Sequence, residues 1–175
     1  MSLWRRLWAT LRAGPGRRPR RLHSLRELAA APRERVEIVG VVEALEPVLC
    51  PVSGRPAVAL EYTAWPQSST LGIDGAGAYS SRAFQVKYHQ AADFVLCDGP
   101  HRALIRVDPG RDLLRVHREL LARHGVGLRS EQHLIAAGAR VRVIGRVESA
   151  SATASPHRRE AYLAVVRAER FWLAD

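Results

Sequence analysis

Apolar and polar residues alternate along much of the chain, a pattern typical of half-buried β-strands. The strictest alternation lies in Arg140–Glu148, which is the clearest predicted strand. Val36–Leu45 is apolar and β-branched, and Gly40 within it predicts a kink or bulge. Asp98-Gly99 predicts a hairpin turn that Pro100 lengthens beyond two residues. Similar patterns predict strands over Ala57–Trp65, Arg82–His89, Asp93–Cys97, Ala103–Val107 and Ala161–Leu173.

Two short helices are predicted between the later strands. Asp112–Arg123 places leucine and valine at helical spacing, and Ser130–Ala137 follows with Ser130 as its N-cap and Gly138 as its stop. Since strands and helices do not alternate, these elements predict a mainly β fold, a small OB-like barrel with one or two short helices covering an open end. The alternative is a two-sheet sandwich. The predicted core includes Val36, Ile38, Val41, Phe94, Leu96, Ile105, Val107, Val141, Val143 and Val165.

Charge changes the picture at the N-terminus. Met1–Arg26 has eight arginines and no acidic residue, whereas Glu27–Asp175 has 19 basic and 17 acidic side chains, so most of the formal net charge of +10 belongs to a tail. On a helix, the leucines and tryptophans of this tail form one stripe bordered by arginine. Such a helix suits the headgroup boundary of an anionic membrane. The predicted membrane-binding residues are Leu3, Trp4, Arg5, Arg6, Leu7, Trp8, Leu11 and Arg12.

The tail is predicted to be separate from the folded domain. Residues 1–22 would hold an N-terminal amphipathic helix and a linker, because Gly14-Pro15-Gly16 ends a helix and Arg17–Arg21 is charged and extended. Residues 23–175 would form the β-domain, opening on a capping box made by Ser24 and Glu27.

The same tail bears on where the protein works. No apolar run reaches the ~20 residues that a spanning helix needs. A mitochondrial presequence would show the same arginine-rich, amphipathic, acid-free pattern. The bias towards arginine and alanine across the chain favours a bacterial cytoplasmic protein instead.

Three stretches form an ordered set. Val41–Val58 is a strand, then Pro-x-Ser-Gly-x-Pro, then a strand; Phe94–Pro109 contains Cys-Asp-Gly-Pro; Glu131–Val147 ends in Arg-Val-Arg-Val-Ile-Gly-Arg-Val. Over about residues 25–170, this set resembles the GIDE-type domain. That domain is the "beside a membrane" β-domain of membrane-anchored RING ubiquitin ligases and their bacterial relatives.

The resemblance implies a partner-binding domain near a membrane. In the ligases this domain lies between transmembrane segments and acts in substrate or partner binding, while ubiquitin transfer belongs to a separate RING. Two cysteines, Cys50 and Cys97, are too few for the Cys/His pairs of a RING. We therefore expect no ligase activity, and we expect the amphipathic tail to take the place of the transmembrane spans.

Few residues offer catalytic or metal-binding chemistry. Asp98 with His101 is a conceivable acid–base pair, but turn chemistry explains both residues better. Cys50, Cys97, His89 and His101 lack the spacing of a zinc site, and a Cys97–His101 nucleophilic pair lacks a third orienting group. Cys97 is expected to be a small core residue. We expect no enzymatic activity, no metal and no cofactor.

The sequence therefore predicts a non-enzymatic protein-interaction module, positioned at the inner, cytoplasmic face of an anionic membrane by its basic amphipathic N-terminus. Its expected partners are that membrane surface and a protein. The alternative is an OB-like protein that binds single-stranded nucleic acid, which needs exposed aromatic side chains beside arginines. The aromatic candidates for that alternative are Tyr62, Trp65, Tyr79, Phe84 and Tyr88.

Overall fold

The computed structural model describes residues 18–66, 85–124, 128–148 and 162–174. Within these ranges the protein is mainly β, and neither helix has the length and hydropathy needed to cross a bilayer. The predicted amphipathic helix and its eight membrane-binding residues lie outside the described residues. The elements are β1 (Arg20–Arg21), a 3₁₀ helix (Leu25–Ala30), β2 (Arg35–Ala44), β3 (Val48–Leu49), β4 (Pro56–Ala57), β5 (Ala59–Pro66), β6 (Val86–Ala91), β7 (Phe94–Asp98), β8 (His101–Arg106), α1 (Leu113–His124), β9 (Leu128–Ile135), β10 (Arg140–Glu148) and β11 (Ala164–Leu173).

Five of the strands close into a barrel. β2 is antiparallel to both β10 and β7, β7 is antiparallel to β8, and β10 is antiparallel to β11. β8 and β11 are parallel, which completes the ring β2-β10-β11-β8-β7. The predicted mainly β barrel is confirmed, and the two-sheet sandwich is wrong.

The barrel interior is filled by alternate residues of its strands. The predicted core residues that are buried are Val36, Ile38, Phe94, Leu96, Ile105, Val141, Val143 and Val165. The prediction that Val41 belongs to the core is wrong, because Val41 is 43% exposed while its neighbours Gly40 and Val42 face inwards. Val107 is only partly buried against the core.

Gly40 neither kinks nor bulges β2, since the pairing of β2 with β10 runs through it without a shift. The glycine is needed for a close approach instead: a Cβ there would lie 2.7 Å from the Cys97 carbonyl oxygen and from the Leu96 side chain. The register shift lies between Ile144 and Gly145, where β10 meets β11.

The turn between β7 and β8 is tighter than predicted. Asp98 pairs directly with His101, so Gly99 and Pro100 alone form the loop. Gly99 takes a φ of +56°, a conformation that glycine adopts without steric cost. Pro100 therefore does not lengthen this hairpin.

A second, three-stranded sheet lies beside the barrel, in the order β6-β5-β9. The predicted helix Ser130–Ala137 is wrong, because Ser130–Ile135 belongs to β9 and pairs with β5, and Ala136 and Ala137 follow the strand. Gly138, with a φ of +81°, lies in the turn that follows. Cross-strand pairing has outweighed a capping residue and a short apolar run that favour a helix.

The helices cover different parts of the molecule from those expected. α1 confirms the predicted helix, but its Leu113 packs with Leu60 and Tyr62 of the second sheet rather than over an open end of the barrel. The 3₁₀ helix contributes Leu25 and Leu28 to the barrel core and has the predicted capping box.

The join between tail and barrel is also tighter than predicted. Arg20 and Arg21 form β1, which is parallel to β2 at Val36 and Glu37. Leu22 donates its N–H to the Glu37 carbonyl at 2.9 Å, and its side chain is only 5% exposed. The end of the predicted linker is therefore part of the barrel, which begins before His23.

Candidate functional site

Four arginines lie side by side on the outer surface of the barrel, one on each of four neighbouring strands. Arg35 of β2 is paired in register with Arg146 of β10, Arg146 with Arg167 of β11, and Arg167 with Arg106 of β8. Since neighbouring strands lie 4.7–4.9 Å apart, these four positions span about 15 Å. We call this set the arginine row.

The alternation of the strands turns the arginine row outward. In β10, Val143, Gly145 and Val147 are buried inside the barrel, whereas Arg146 between them is exposed. Arg106 and Arg167 are exposed as well, and Arg35 is half-buried. The guanidinium groups therefore lie on the barrel's outer wall and not in its core.

Carboxylates pair with three of the four arginines in the row, the exception among the described residues being Arg146. Arg35 Nε lies 2.7 Å from Glu169 Oε2, and Glu148 pairs with both Arg167 at 3.0 Å and Arg106 at 3.5 Å. In the described part of the chain, Arg146 has no ion pair. Like charges directly opposite each other on a sheet are destabilising, so this arrangement has a local cost.

A strained residue lies beside the same end of β10. Arg33 takes a φ of 63°, which is uncommon for a residue other than glycine. Its N–H donates to the Val147 carbonyl at 3.1 Å, and the Val147 N–H donates to Glu34 at 2.9 Å. A fifth arginine is thereby held next to the row in a conformation that costs about 1 kcal/mol.

The tail joins the barrel at this place. Because β1 is parallel to β2, with Arg20 opposite Val36, the residues before Arg20 approach the end of β2 that carries Arg35. Arg20 itself pairs with Glu34 at 3.1 Å. The described end of the tail, Arg20 and Arg21, therefore lies beside the end of β2 that carries Arg35.

The residues considered for catalysis have structural partners. Asp98 accepts a hydrogen bond from the Leu25 N–H at 3.2 Å, at the start of the 3₁₀ helix, so its carboxylate is engaged there rather than with His101. Cys97 is not a core residue, since it lies half-buried on the outer face of β7 opposite Val41. Burial raises the pKa of the Cys97 thiol, and a hydrogen bond to Glu43 raises it further. The thiol is thus kept protonated, which is the opposite of an activated nucleophile.

The metal candidates are not brought together. Cys50 is buried with Leu60 and Tyr62 between the three-stranded sheet and α1, where it is hydrogen-bonded to Gln132. Cys97 lies on β7 of the barrel instead. Over the described ranges no group of three or more histidine, cysteine or acidic side chains has the geometry to hold a metal ion.

The aromatic candidates are mostly unsuited to stacking with bases. Tyr62 is fully buried, and Tyr88 is half-buried with the Arg111 guanidinium 4.9 Å from its ring centre. Trp65 is half-buried on β5, while Tyr79 and Phe84 lie outside the described residues. An aromatic residue that the sequence analysis missed, Trp172, pairs with Arg142 on the barrel wall.

A second polar cluster lies on the face of the three-stranded sheet opposite α1. Glu61 is 5% exposed and lies in register between His89 and His133. Lys87 pairs with it, Nζ to Oε1, at 2.9 Å. The sequence signal for this cluster is a glutamate inside the apolar strand Ala57–Trp65, with the chain's single lysine on the next predicted strand.

Comparison with family models, with curated proteins and with solved structures finds no match to this chain. The functional proposal therefore rests on the residues and contacts described above.

Proposed function

We propose that this protein is a non-enzymatic interaction module, held at the inner, cytoplasmic face of an anionic membrane by its basic amphipathic N-terminus. The observation that carries the proposal is the direct join between tail and barrel. β1 is hydrogen-bonded to β2 and Leu22 is buried, so the segment that follows the tail is part of the barrel. A membrane-bound tail would consequently hold the barrel close to the surface.

The chemistry of the tail supplies two kinds of membrane affinity. The leucine and tryptophan stripe buries apolar area, and each arginine near an anionic surface adds about 1 kcal/mol. Stable peripheral attachment usually takes two such signals. The tail provides both within its first 12 residues.

The barrel supports the remaining parts of the proposal. Its strand order, with one parallel pair between the third and fifth barrel strands, supports an OB-like barrel, and the resemblance to GIDE-type domains supports a partner-binding role. Leu114 and Leu121 are 38% and 41% exposed and lie seven residues apart on α1. Paired at that spacing, they offer an apolar surface for a protein partner.

The test is co-sedimentation of the full chain with vesicles of neutral lipid, with and without an anionic lipid. Trp4→Glu/Trp8→Glu should abolish binding to the anionic vesicles. The matched control, Ser2→Glu/Ala9→Glu, adds the same charge on the opposite face of the predicted helix and should weaken binding much less. Equal loss in the two variants would show that charge alone holds the tail, and the amphipathic part of the proposal would fall.

The second candidate is single-stranded nucleic-acid binding, which the OB-like strand order favours. OB folds bind oligonucleotides on the face of their second and third strands, here β7 and β8. On β7, however, Val95 is fully buried, and Arg102 of β8 is paired with Glu43 at 2.7 Å. Fluorescence anisotropy of a labelled single-stranded oligonucleotide, measured alongside vesicle co-sedimentation, separates the two candidates. We expect the protein to bind the anionic vesicles more tightly than the oligonucleotide.

A further inference from the structure

We infer that the arginine row is a second membrane contact, which binds the phosphates of anionic lipid headgroups chiefly through Arg146. The inference rests on the membrane function proposed for the tail. It adds a defined site on the barrel and an orientation: the wall made by β2, β10, β11 and β8 faces the lipid.

The first support is uncompensated charge. The backbone positions of the four arginines span about 15 Å along the wall, and Glu148 and Glu169 pair with three of them, Arg35, Arg106 and Arg167. Arg146, between the paired arginines, is exposed. A guanidinium presents a planar fork of N–H donors that matches two phosphate oxygens. An anion bound at Arg146 would therefore relieve the repulsion between neighbouring arginines.

The second support is that two unfavourable local features occur together. The row sets like charges in register, and Arg33 beside it holds a positive φ. Local rules of stability fail most often at sites that serve a function. The side chains of the row take no part in the barrel core, which residues on the opposite strand faces fill.

The third support is the position of the tail. The chain enters the barrel beside Arg35, so binding of the tail brings the arginine row near the same surface. The second contact is then intramolecular and gains from a high effective concentration. Headgroup contacts that are too weak to hold the isolated barrel on the membrane are sufficient once the tail is bound.

Lipid fits the row better than a nucleic acid. Sites for single strands combine a basic track with aromatic side chains on which bases stack. On the same outer strand faces, two residues along the strands from the row, the side chains are charged or aliphatic: Glu37, Ile144 and Leu104. The described wall offers no stacking platform at the row, whereas lipid phosphates need none.

The test compares Arg146→Gln with Arg140→Gln in the full chain. Both arginines are exposed on β10, and neither has an ion pair within the described ranges, but Arg140 lies outside the row, about 20 Å along the strand. With vesicles of phosphatidylcholine and phosphatidylglycerol, Arg146→Gln should weaken binding about fivefold, the equivalent of one arginine near the surface. Arg140→Gln should change binding less than twofold. The thermal midpoint of Arg146→Gln should stay the same or rise, because a repulsion is removed.

Each other outcome overturns the inference in a recognisable way. Equal weakening by both variants means that net charge acts without a site. If neither arginine variant weakens vesicle binding and Trp4→Glu/Trp8→Glu still abolishes it, the tail binds the membrane without the row. The inference then fails, while the membrane function proposed for the tail stands. If Arg146→Gln weakens binding of a single-stranded oligonucleotide and leaves vesicle binding intact, the row serves nucleic acid instead.

Discussion

The three-stranded sheet and the barrel wall differ in how their polar side chains are paired. On the sheet, buried Glu61 is paired with Lys87, and the buried Tyr62 hydroxyl is 2.7 Å from Nδ1 of His117. On the barrel, the arginine row gathers like charges on an exposed wall, and Arg146 has no ion pair with any residue that the structure describes. These two buried polar groups of the sheet each have a partner, while the four arginines of the row pair with two carboxylates, Glu148 and Glu169.

The difference separates stabilising polar residues from binding ones. A buried polar group without a partner is costly, so the pairs on the sheet hold its strands and α1 together. Like charges in register on an exposed wall repel one another, so stability does not explain the row, and we infer that it serves binding. Substitutions on the sheet should therefore lower the free energy of unfolding without affecting vesicle binding. Substitution of Arg146 in the row should weaken vesicle binding without lowering the free energy of unfolding.

The largest effect is expected at Tyr62. Tyr62→Ala should lower the free energy of unfolding by about 4 kcal/mol, because it empties a fully buried aromatic site under α1. Tyr62→Phe keeps the ring and removes only the hydroxyl, and should cost about 1 kcal/mol. Urea unfolding followed by circular dichroism measures both values. Equal losses would mean that the hydrogen bond to His117, rather than packing, holds this core.

A smaller effect is expected at the Lys87–Glu61 pair. Lys87→Met should cost about 2 kcal/mol, since Glu61 would stay buried without its counter-charge. Adding Glu61→Gln should recover part of the loss. Arg102→Met is the control: its partner Glu43 is half-exposed, so the cost should stay below about 1 kcal/mol. Similar costs for Lys87→Met and Arg102→Met would show that Glu61 is no more dependent on its partner than a surface residue.

The same sheet should be sensitive to acid through His117. Burial lowers the pKa of His117 below its ordinary value of 6.5 and raises the pKa of Tyr62, so both groups are neutral and the hydroxyl can donate to Nδ1. The unfolded chain then binds a proton at His117 more readily than the folded one. This contribution to stability is complete above about pH 6.5 and falls as the pH drops from there towards the lowered pKa.

Urea midpoints of the wild type and His117→Gln at pH 7.5 and 5.5 measure this dependence. The wild type should lose more stability than the variant on going to pH 5.5. An equal loss in both would place the acid sensitivity elsewhere in the molecule.

Much of the barrel could be predicted because alternation within one strand reports which side chains face the core. Arg140–Glu148 has the predicted bounds, and Val141 and Val143 are buried as expected. The prediction failed where pairing between distant strands decides the outcome. Ser130 and Gly138 are typical helix signals, but pairing with β5 makes Ser130–Ile135 part of a strand.

The arginine row could not be predicted for the same reason. Arg35, Arg106, Arg146 and Arg167 are widely separated along the chain, and each alone is an ordinary exposed position of a strand. Only the registers of four strands bring them together. The strain at Arg33 is equally invisible in the sequence, because arginine carries no preference for a positive φ.

The smallest expected effect, and the sharpest contrast between stability and binding, lies at Arg33. Glycine adopts a φ of 63° freely, so Arg33→Gly relieves about 1 kcal/mol of strain, offset by the greater freedom of glycine in the unfolded chain. The free energy of unfolding should therefore change by less than about 0.5 kcal/mol. Binding to anionic vesicles should nevertheless weaken, by up to about fivefold, because a charge beside the arginine row is lost. Arg33→Lys keeps the charge and should bind like the wild type. If Arg33→Gly bound as tightly as Arg33→Lys, this edge of the barrel wall would not face the membrane, and the strain at Arg33 would have no part in binding.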